Sequence, residues 1–290
     1  MEDKYHIVCF SGGASSARIA IHLSDKIKKG EIEKDRIILL NHDINPKAEL
    51  EDVKRFKREV AEYCNLDITY ANMKDWDKLD QFDVAEKHGG IKFSQVAYTC
   101  TKHMKTLPFS TWIKDNQEIS KNAIFYYGFD DNPREMERSE RRVRIMEEMG
   151  GYKVKFLLQE IELPQCPIKL PAQYDNFKHA NCIGCFKGGS QHWYVVYCLY
   201  PSVWERAKKL EETKLSGEFR SILTKTVNGV KVKKFLKDIE CDFRRMKRIG
   251  IKPTEHIQSQ TFWADVKKRL AQPNLFDYES WKTDCDCMVG

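Results

Sequence analysis

The sequence predicts an α/β fold: a doubly wound parallel sheet followed by a cysteine-bearing, mostly helical C-terminal extension. Three observations support this prediction. Short apolar runs alternate with amphipathic segments through the first half of the chain, as in parallel sheets that helices cover on both faces. A glycine pair follows the first apolar run and polar residues follow the second, as expected where ligands bind at the carboxyl ends of strands. After residue 165 the alternation gives way to prolines and cysteines.

Each predicted strand is an apolar run, separated from the next by a segment of helical periodicity. The run at residues 36–40 is continuous rather than alternating, which is typical of a parallel strand buried on both faces. Strands are predicted at residues 5–10, 36–40, 66–70, 123–129 and 154–158, and helices at 16–27, 49–63, 99–116 and 132–149. Pro108 is expected to bend or restart the third helix, and the polar residues 71–97 to form a long loop or a short helix.

The C-terminal part begins with a linker-like stretch that contains Pro164, Pro167 and Pro171. We therefore predict a sheet domain at residues 1–165 and, at residues 166–290, a metal-binding loop and helical region packed on it. One continuous domain is an equal alternative. Within this part, a helix at 190–210 carries an aromatic stripe that is expected to lie in the core, and a basic helix is predicted at 231–249.

The amino-acid composition limits which classes of function are possible. The 290 residues are 41% hydrophobic and 32% charged, which describes an ordinary soluble globular protein. The net charge of +6 fits an anionic ligand such as a nucleotide and permits nucleic acid without requiring it. No signal segment is apparent and no apolar stretch is long enough to cross a bilayer, so we expect a cytoplasmic protein with no membrane partner. In a reducing compartment, ten cysteines favour metal binding or redox chemistry over disulfides.

The loop after the first predicted strand has the composition of a phosphate cradle. Gly12 and Gly13 allow a tight turn that brings backbone N–H groups toward an anion, and the following helix presents its unpaired amides and positive dipole end. Ser11, Ser15 and Ser16 add hydroxyl donors. A glycine turn that joins a strand to a helix for purely steric reasons is the alternative.

This Ser-Gly-Gly-x-x-Ser segment resembles the pyrophosphate-binding loop (PP-loop) of the ATP pyrophosphatase and PAPS reductase superfamily, whose fold is Rossmann-like, of the adenine nucleotide alpha-hydrolase type. The resemblance implies that residues 1–165 bind an adenine nucleotide, ATP or adenylyl sulfate, with or without Mg²⁺, through Ser11, Gly12, Gly13, Ser15 and Ser16. The common family form has Asp where this chain has Ser15. The loop therefore supports nucleotide binding better than ATP cleavage.

Two further segments after predicted strands are candidates for the same site. Asn41 and Asp43 follow the second strand, where the related family lines its adenosine pocket; alternatively, Asp43 caps a helix that starts at Pro46. Gly128 ends the fourth strand and precedes a row of arginines, of which Arg138 and Arg142 are assigned to anion binding because a guanidinium matches phosphate oxygens in pairs. Ordinary surface ion pairs, such as Glu135 with Arg138, are the competing interpretation.

The prediction of a metal centre rests on the cysteines. Cys182-Ile-Gly-Cys185 places two thiolates on one tight turn, and such a pair needs further ligands from elsewhere. Cys100, with Lys105 and Pro108 after it, resembles the cysteine, lysine and proline segment of PAPS and APS reductases. In their iron–sulfur branch this implies a 4Fe-4S cluster, with Cys100, Cys182, Cys185 and Cys287 as the assigned ligands and zinc as the alternative metal. The family's cysteine pair is Cys100-Thr101 here, so Cys198, Cys285 or Cys287 completes the set, or one iron stays open and can hold a sulfide.

The same resemblance implies sulfur chemistry. Lys105 is assigned as a positive charge beside the reacting group, and Cys285 and Cys287 of the tail act as nucleophile, as metal ligand or in neither role. The predicted function is a PAPS reductase-like enzyme that transfers or reduces sulfur on an adenine nucleotide, with a sulfur- or electron-donor protein as partner. The alternatives are an ATP-dependent sulfurtransferase acting on nucleic acid, as in tRNA thiolation or DNA phosphorothioation, and a non-catalytic zinc-stapled nucleotide- or nucleic-acid-binding module. The oligomeric state stays open.

Overall fold

A computed structural model describes residues 4–92, 97–215 and 217–271 of the chain. The described residues fall into two compact units. Unit 1 comprises the residues up to 88 together with 92–174 and 179–182, and unit 2 comprises 89–91, 175–178 and the residues from 183 onward. Within the described ranges, no helix combines the length and the apolar character needed to cross a membrane.

Unit 1 is built on a five-stranded sheet in which every strand pair is parallel. Its strands are β1 (Tyr5–Cys9), β2 (Ile37–Asn41), β3 (Ile68–Tyr70), β4 (Ala123–Tyr126) and β5 (Lys153–Lys155). The order is β3-β2-β1-β4-β5, which confirms the predicted doubly wound sheet. Because β2 and β3 extend from one side of β1 and β4 and β5 from the other, the order reverses between β1 and β4. Ligands of open α/β sheets bind at the carboxyl end of this switch point.

Helices connect the strands of this sheet. They are α1 (Ala14–Lys28), α2 (Glu51–Tyr63), α3 (Gln81–Lys87), α4 (Thr99–Thr101), α5 (Leu107–Asp115), α6 (Gln117–Lys121), α7 (Pro133–Glu148) and α8 (Leu157–Glu160). On α2, Val53, Phe56 and Val60 are fully buried, because residues spaced by three and four lie on one helix face. Burying each such side chain stabilises the fold by roughly 1.5–3 kcal/mol.

Two predictions in unit 1 needed correction. The predicted helix at 99–116 is interrupted by a π-helical turn, Lys102–Thr106, between α4 and α5. Pro108 lies in the first turn of α5, where its missing N–H breaks no hydrogen bond. The strand predicted at 154–158 ends at Lys155, and the residues from Leu157 turn into α8.

Unit 2 contains helices and two short antiparallel hairpins. They are α9 (Ser190–Leu199), α10 (Pro201–Glu212), β6 (Lys214–Leu215) with β7 (Glu218–Phe219), β8 (Leu223–Val227) with β9 (Val230–Lys234), α11 (Leu236–Arg248) and α12 (Ser259–Leu270). The predicted helix at 190–210 is broken before Pro201. The prediction of a helix at 231–249 is wrong at its start, because Asn228 and Gly229 both adopt positive φ and turn the chain into a hairpin.

The aromatic stripe lies in the core of unit 2, as predicted. Trp193, Tyr194 and Trp204 are fully buried. Phe243 of α11 joins them, with its ring centroid 5.3 Å from that of Tyr194 and 5.6 Å from that of Trp204. Such edge-on and tilted aromatic pairs add about 0.5–1.5 kcal/mol beyond the area they bury, so these rings fix α9, α10 and α11 together.

Candidate functional site

The loop between β1 and α1 has the backbone geometry of an anion site. Gly12 adopts φ +74°, and a Cβ there would lie 2.8 Å from the side-chain carbons of Lys57. Glycine is therefore required at this position by conformation and by space. Gly13 is the N-cap of α1, in extended conformation and with no side-chain cap. The first-turn amides of α1 have no acceptor within the helix, and their dipole end favours a negative charge.

The serines of the loop divide between shaping it and facing outward. The buried Ser16 hydroxyl donates to the Gly13 carbonyl oxygen at 3.0 Å and lies 3.2 Å from the Ser11 hydroxyl. Ser11 is exposed. Tyr174, which the sequence did not suggest, accepts a hydrogen bond from the Ala14 amide at 3.1 Å. Burial raises the pKa of Tyr174, so its hydroxyl keeps its proton at neutral pH.

A carboxylate lies beside the first turn of α1. Ser15 donates to both carboxylate oxygens of Asp130, at 3.0 and 3.1 Å, and Asp130 follows β4 in the chain. The position where the family form has an aspartate thus holds a serine that contacts an aspartate from another loop. A phosphate bound to this helix end would need a cation beside Asp130, and carboxylate oxygens are ligands that Mg²⁺ prefers.

Gly128 brings the β4 loop against the loop after β1. A Cβ on Gly128 would lie 2.7 Å from the Ser16 amide nitrogen and 2.9 Å from the Ser15 carbonyl carbon. The sequence assigned this glycine to the approach of a ligand. The close approach found is that of the α1 backbone itself, so Gly128 holds two loops of the candidate site together at the switch point.

The two assigned arginines of α7 lie over aromatic rings that follow β4. Arg138 is exposed, forms an ion pair with Glu135 at 2.6 Å, and stacks 4.5 Å from the Phe129 ring centroid. Arg142 is half-buried and lies 4.9 Å from the Tyr127 ring centroid. The surface ion pair that the sequence offered as an alternative for Arg138 is therefore present, whereas Arg142 lies closer to the sheet.

Cys9, at the end of β1, is near the same arginine. Burial raises the pKa of its thiol to about 11, although a hydrogen bond with Tyr127 and the charge of Arg142 act in the opposite direction. A thiol with this pKa is protonated at neutral pH and is a poor nucleophile. Cys9 is therefore a packing residue of the site.

The end of β2 holds a buried charge cluster: Asn41, Asp43, Glu49, Lys54 and Lys57. The Lys57 ammonium donates to Glu49 at 2.7 Å and to Asn41 and Asp43 at 3.2 Å. Lys54 donates to Asp43 at 2.6 Å. Burial raises the pKa of Glu49. Burial also acts to raise the pKa of Asp43, but the two lysines outweigh it and lower that pKa.

This cluster changes the interpretation of Asn41 and Asp43. The proposed cap of a helix at Pro46 is wrong, because α2 begins at Glu51 with Leu50 as its N-cap. Asp43 instead neutralises lysine charge, and the neutral Asn41 amide accepts a hydrogen bond that orients Lys57. The sequence did contain a signal for Lys57: it lies at helical spacing on the apolar face formed by Val53, Phe56 and Val60, where a lysine must have partners.

Lys105 lies within electrostatic range of His42, the residue directly after β2. Burial lowers the pKa of His42, and the charges of Lys105 and Lys57 lower it further, whereas its hydrogen bond with the Ala71 carbonyl acts to raise it. Lys105 itself is exposed. An exposed ammonium close to the carboxyl end of β2 is where a positive charge can act on a ligand bound at the sheet edge.

Two of the assigned metal ligands pack against one small cluster in unit 1. Cys100 and Cys182 both contact the group formed by Ile44, Ala48, Val84 and Met104. In the turn between Cys182 and Cys185, Gly184 adopts φ +71°, which permits a tight reversal.

The described part of the chain gathers no three cysteines at metal-ligand distance, and it does not include Cys285 or Cys287. The ligand set of a 4Fe-4S cluster or of zinc therefore stays a prediction.

No protein-family model, curated protein or solved structure matches this chain. The fold is therefore assigned from the sheet itself. Five parallel strands in the order β3-β2-β1-β4-β5, with helices between them, define a Rossmann-like α/β protein. The likeness to PAPS reductases rests on the sequence motifs.

Proposed function

We propose that this protein is a PAPS reductase-like enzyme that binds an adenine nucleotide at the loop formed by residues 11–16 and transfers or reduces sulfur. The observation that carries the proposal is the position of this loop. It joins β1 to α1, whose N-cap residue Gly13 has no capping side chain, at the point where the strand order reverses. Phosphates of nucleotides bind at such helix ends in Rossmann-like folds.

The charges around the loop support a nucleotide with a cation. Arg142 and Lys105 supply positive charge near the ends of β4 and β2, and Asp130 supplies a carboxylate at the first turn of α1. A nucleotide–Mg²⁺ complex offers a negative and a positive partner to these groups. These charges favour a nucleotide–Mg²⁺ complex over a bare phosphate.

Sulfur chemistry enters through the cysteine motifs, and we propose that Cys182 and Cys185 bind a metal centre with Cys100 and a tail cysteine. A 4Fe-4S cluster would supply electrons or carry the sulfur; zinc would make the centre structural. In this proposal Lys105 holds a developing negative charge on the reacting sulfur.

Nucleotide binding is tested by calorimetric titration of ATP, adenylyl sulfate and AMP with Mg²⁺. Gly13→Ala adds a methyl group to the loop where the nearest atoms lie 3.3 and 3.5 Å away, at a φ of −97° that alanine accepts. Gly189→Ala is a matched control, because Gly189 is also a helix N-cap at negative φ and has no atom within 4 Å of the added carbon.

We expect Gly13→Ala to weaken nucleotide binding about tenfold or more, since one blocked hydrogen bond to a charged group is worth roughly 1.5–3 kcal/mol. Gly189→Ala should bind as the wild type does. Equal affinities in all three proteins, or no binding of any nucleotide by the wild type, would contradict the proposal.

The metal is tested by anaerobic purification followed by iron, sulfide and zinc analysis. Iron with equimolar sulfide supports the cluster, whereas a colourless protein with stoichiometric zinc after anaerobic reconstitution with iron and sulfide excludes it. Cys182→Ser should abolish the bound metal, and Cys241→Ser, at an exposed position of α11, should retain it. Unchanged metal content in Cys182→Ser would refute the ligand assignment.

A second candidate function is ATP-dependent sulfur transfer to a nucleic acid. The basic composition of unit 2, above all of the hairpin formed by β8 and β9, favours it. Pyrophosphate release from ATP that depends on added DNA or RNA would establish this candidate and eliminate adenylyl sulfate reduction.

A further inference from the structure

The hairpin formed by β8 and β9 is the most basic exposed element of regular structure that the described chain offers outside the candidate site. Its strands pair in five steps, from Leu223 opposite Lys234 to Val227 opposite Val230. Residues 223–234 include four lysines and no aspartate or glutamate, so the segment carries a charge of +4. Such a charge on so short a ribbon disfavours contact with basic or neutral partners and favours a polyanion.

The register sorts the side chains of the hairpin onto two different faces. Because side chains alternate along a strand, Thr224 and Thr226 share one face with their cross-strand partners Lys233 and Lys231. All four are exposed. This face, which we call the Thr–Lys face, offers two hydroxyls and two ammonium groups at regular spacing and has no apolar residue.

The tip of the hairpin is tight and apolar. Asn228 and Gly229 both have positive φ, at 49° and 79°, as in the two-residue turns that match the twist of a β-ribbon. Val227 and Val230 flank this turn with 44% and 63% of their surfaces exposed. The two valines are cross-strand partners, and by strand alternation they lie on the face opposite to the Thr–Lys face.

The root of the hairpin is held by one buried side chain. The Glu211 carboxylate accepts from the Ile222 amide and from the Leu236 amide, both at 2.6 Å. These amides stand immediately before β8 and two residues after β9. The ribbon is therefore fixed at its base, with Ile222 and Leu223 buried. Residues 224–231 and Lys233 are exposed, whereas Val232 and Lys234 are half-buried.

We propose that this hairpin binds double-stranded DNA by entering the major groove as a two-stranded ribbon. Five residues per strand give a length of about 16 Å. The major groove of B-DNA, about 12 Å wide, admits a two-stranded ribbon. On the Thr–Lys face, the lysines contact phosphates or guanine edges, and the threonines contact base edges through hydroxyl and methyl groups.

The composition of the hairpin favours duplex DNA over other nucleic acids. Residues 223–234 contain no aromatic side chain, whereas proteins that bind single strands rely on aromatic rings for base stacking. The major groove of A-form RNA is too deep and narrow for such a ribbon. The inference deepens the second candidate function by naming the contact element and duplex DNA as its partner, and it stands on the hairpin alone.

The test is fluorescence anisotropy of a labelled random-sequence DNA duplex titrated with the full chain, without nucleotide, over a series of salt concentrations. The test variant is K231A/K233A. The matched control is K209A/K252A, which removes the same charge from exposed positions of unit 2 outside the hairpin. Thermal unfolding and ATP titration of all three proteins, with and without DNA, accompany the measurement.

We expect K231A/K233A to bind the duplex about tenfold or more weakly at low salt. The slope of log affinity against log salt should fall by about two, because the variant neutralises two phosphates fewer. The control pair should keep the wild-type slope, and both variants should unfold and bind ATP as the wild type does. A wild type that does not bind duplex DNA overturns the inference. So does an equal loss of affinity in both double variants, tighter binding of single-stranded DNA or double-stranded RNA, or binding of anionic vesicles that the duplex does not displace.

The two proposals fail separately. Loss of DNA binding with intact ATP binding would leave the proposed function standing, and DNA binding without ATP binding would leave only the hairpin inference.

Discussion

Lysines are concentrated at the end of β2 and on the hairpin of β8 and β9, and the two sets differ in what surrounds them. Lys54 and Lys57 are buried and face an equal number of carboxylates, Asp43 and Glu49. The hairpin carries four lysines on a segment without any acid. Buried lysines with matched acids build the fold, since a buried charge must be neutralised. Exposed lysines in an acid-free segment contribute little to folding and act on partners.

Among the lysines of these two regions, substitution of Lys57 is expected to cause the largest loss of stability. Lys57→Met should destabilise unit 1 by about 3–5 kcal/mol, because it leaves the buried Glu49 carboxylate without its closest cation. Chemical denaturation measures the loss. The double variant K57M/E49L should recover most of it, since an apolar pair can replace a buried ion pair. A loss below about 1 kcal/mol for Lys57→Met would mean that the ion pair is not structural.

A smaller effect concerns Glu211, the buried acid at the root of the hairpin. Its pKa is raised to about 7, first by burial and also by Asp238, while the two amides and Lys237 act to lower it. An acid with a raised folded pKa is protonated more in the folded than in the unfolded state. Its contribution to stability is therefore present below pH about 4.5 and is lost as pH rises through about 7.

The unfolding free energy should fall by up to about 3 kcal/mol across this window through Glu211 alone. Glu211→Gln has no titrating proton and should remove that part of the pH dependence. The measurement is chemical denaturation of both proteins at pH values below and above this window. The readout is the difference between the two proteins in how steeply the unfolding free energy changes with pH. Parallel pH profiles for wild type and variant would show that Glu211 titrates near its ordinary pKa.

Substitution of Gly128 tests whether the candidate site needs close contact between the loops after β1 and β4. Gly128→Ala places a carbon 2.7 Å from the Ser16 amide nitrogen, so a backbone shift costing about 1–3 kcal/mol is expected, together with weaker nucleotide binding. Denaturation and ATP titration measure the two effects. Wild-type behaviour in both would mean that the loops after β1 and β4 separate without consequence for the site.

The smallest effect is expected from the hairpin lysines. K231A/K233A should change the unfolding free energy by no more than about 0.5 kcal/mol, because both side chains are exposed. Denaturation of this variant beside Lys57→Met compares the two lysine environments directly. A loss comparable to that of Lys57→Met would remove the distinction between them.

The sequence predicted the sheet and its flanking helices because period and composition are local properties. Continuous apolar runs marked β1, β2 and β4, and the glycines after β1 marked the loop. Residues 231–234, at the start of the helix predicted at 231–249, form part of β9 instead. Two local signals favour the hairpin: valine and lysine alternate over residues 230–233 with the period of a strand, and Asn228-Gly229 is a typical hairpin turn. Pairs distant in sequence were beyond prediction: Ser15 with Asp130 and Ala14 with Tyr174 meet only after the chain folds.

A crystal structure with a non-hydrolysable ATP analogue and Mg²⁺ would show whether nucleotide phosphates bind at the first turn of α1. We predict phosphate oxygens within hydrogen-bond distance of the backbone amides of residues 13–16, with Mg²⁺ ligated by a phosphate and by the Asp130 carboxylate. An analogue bound elsewhere, or electron density at this loop for solvent alone under saturating analogue, would contradict the account.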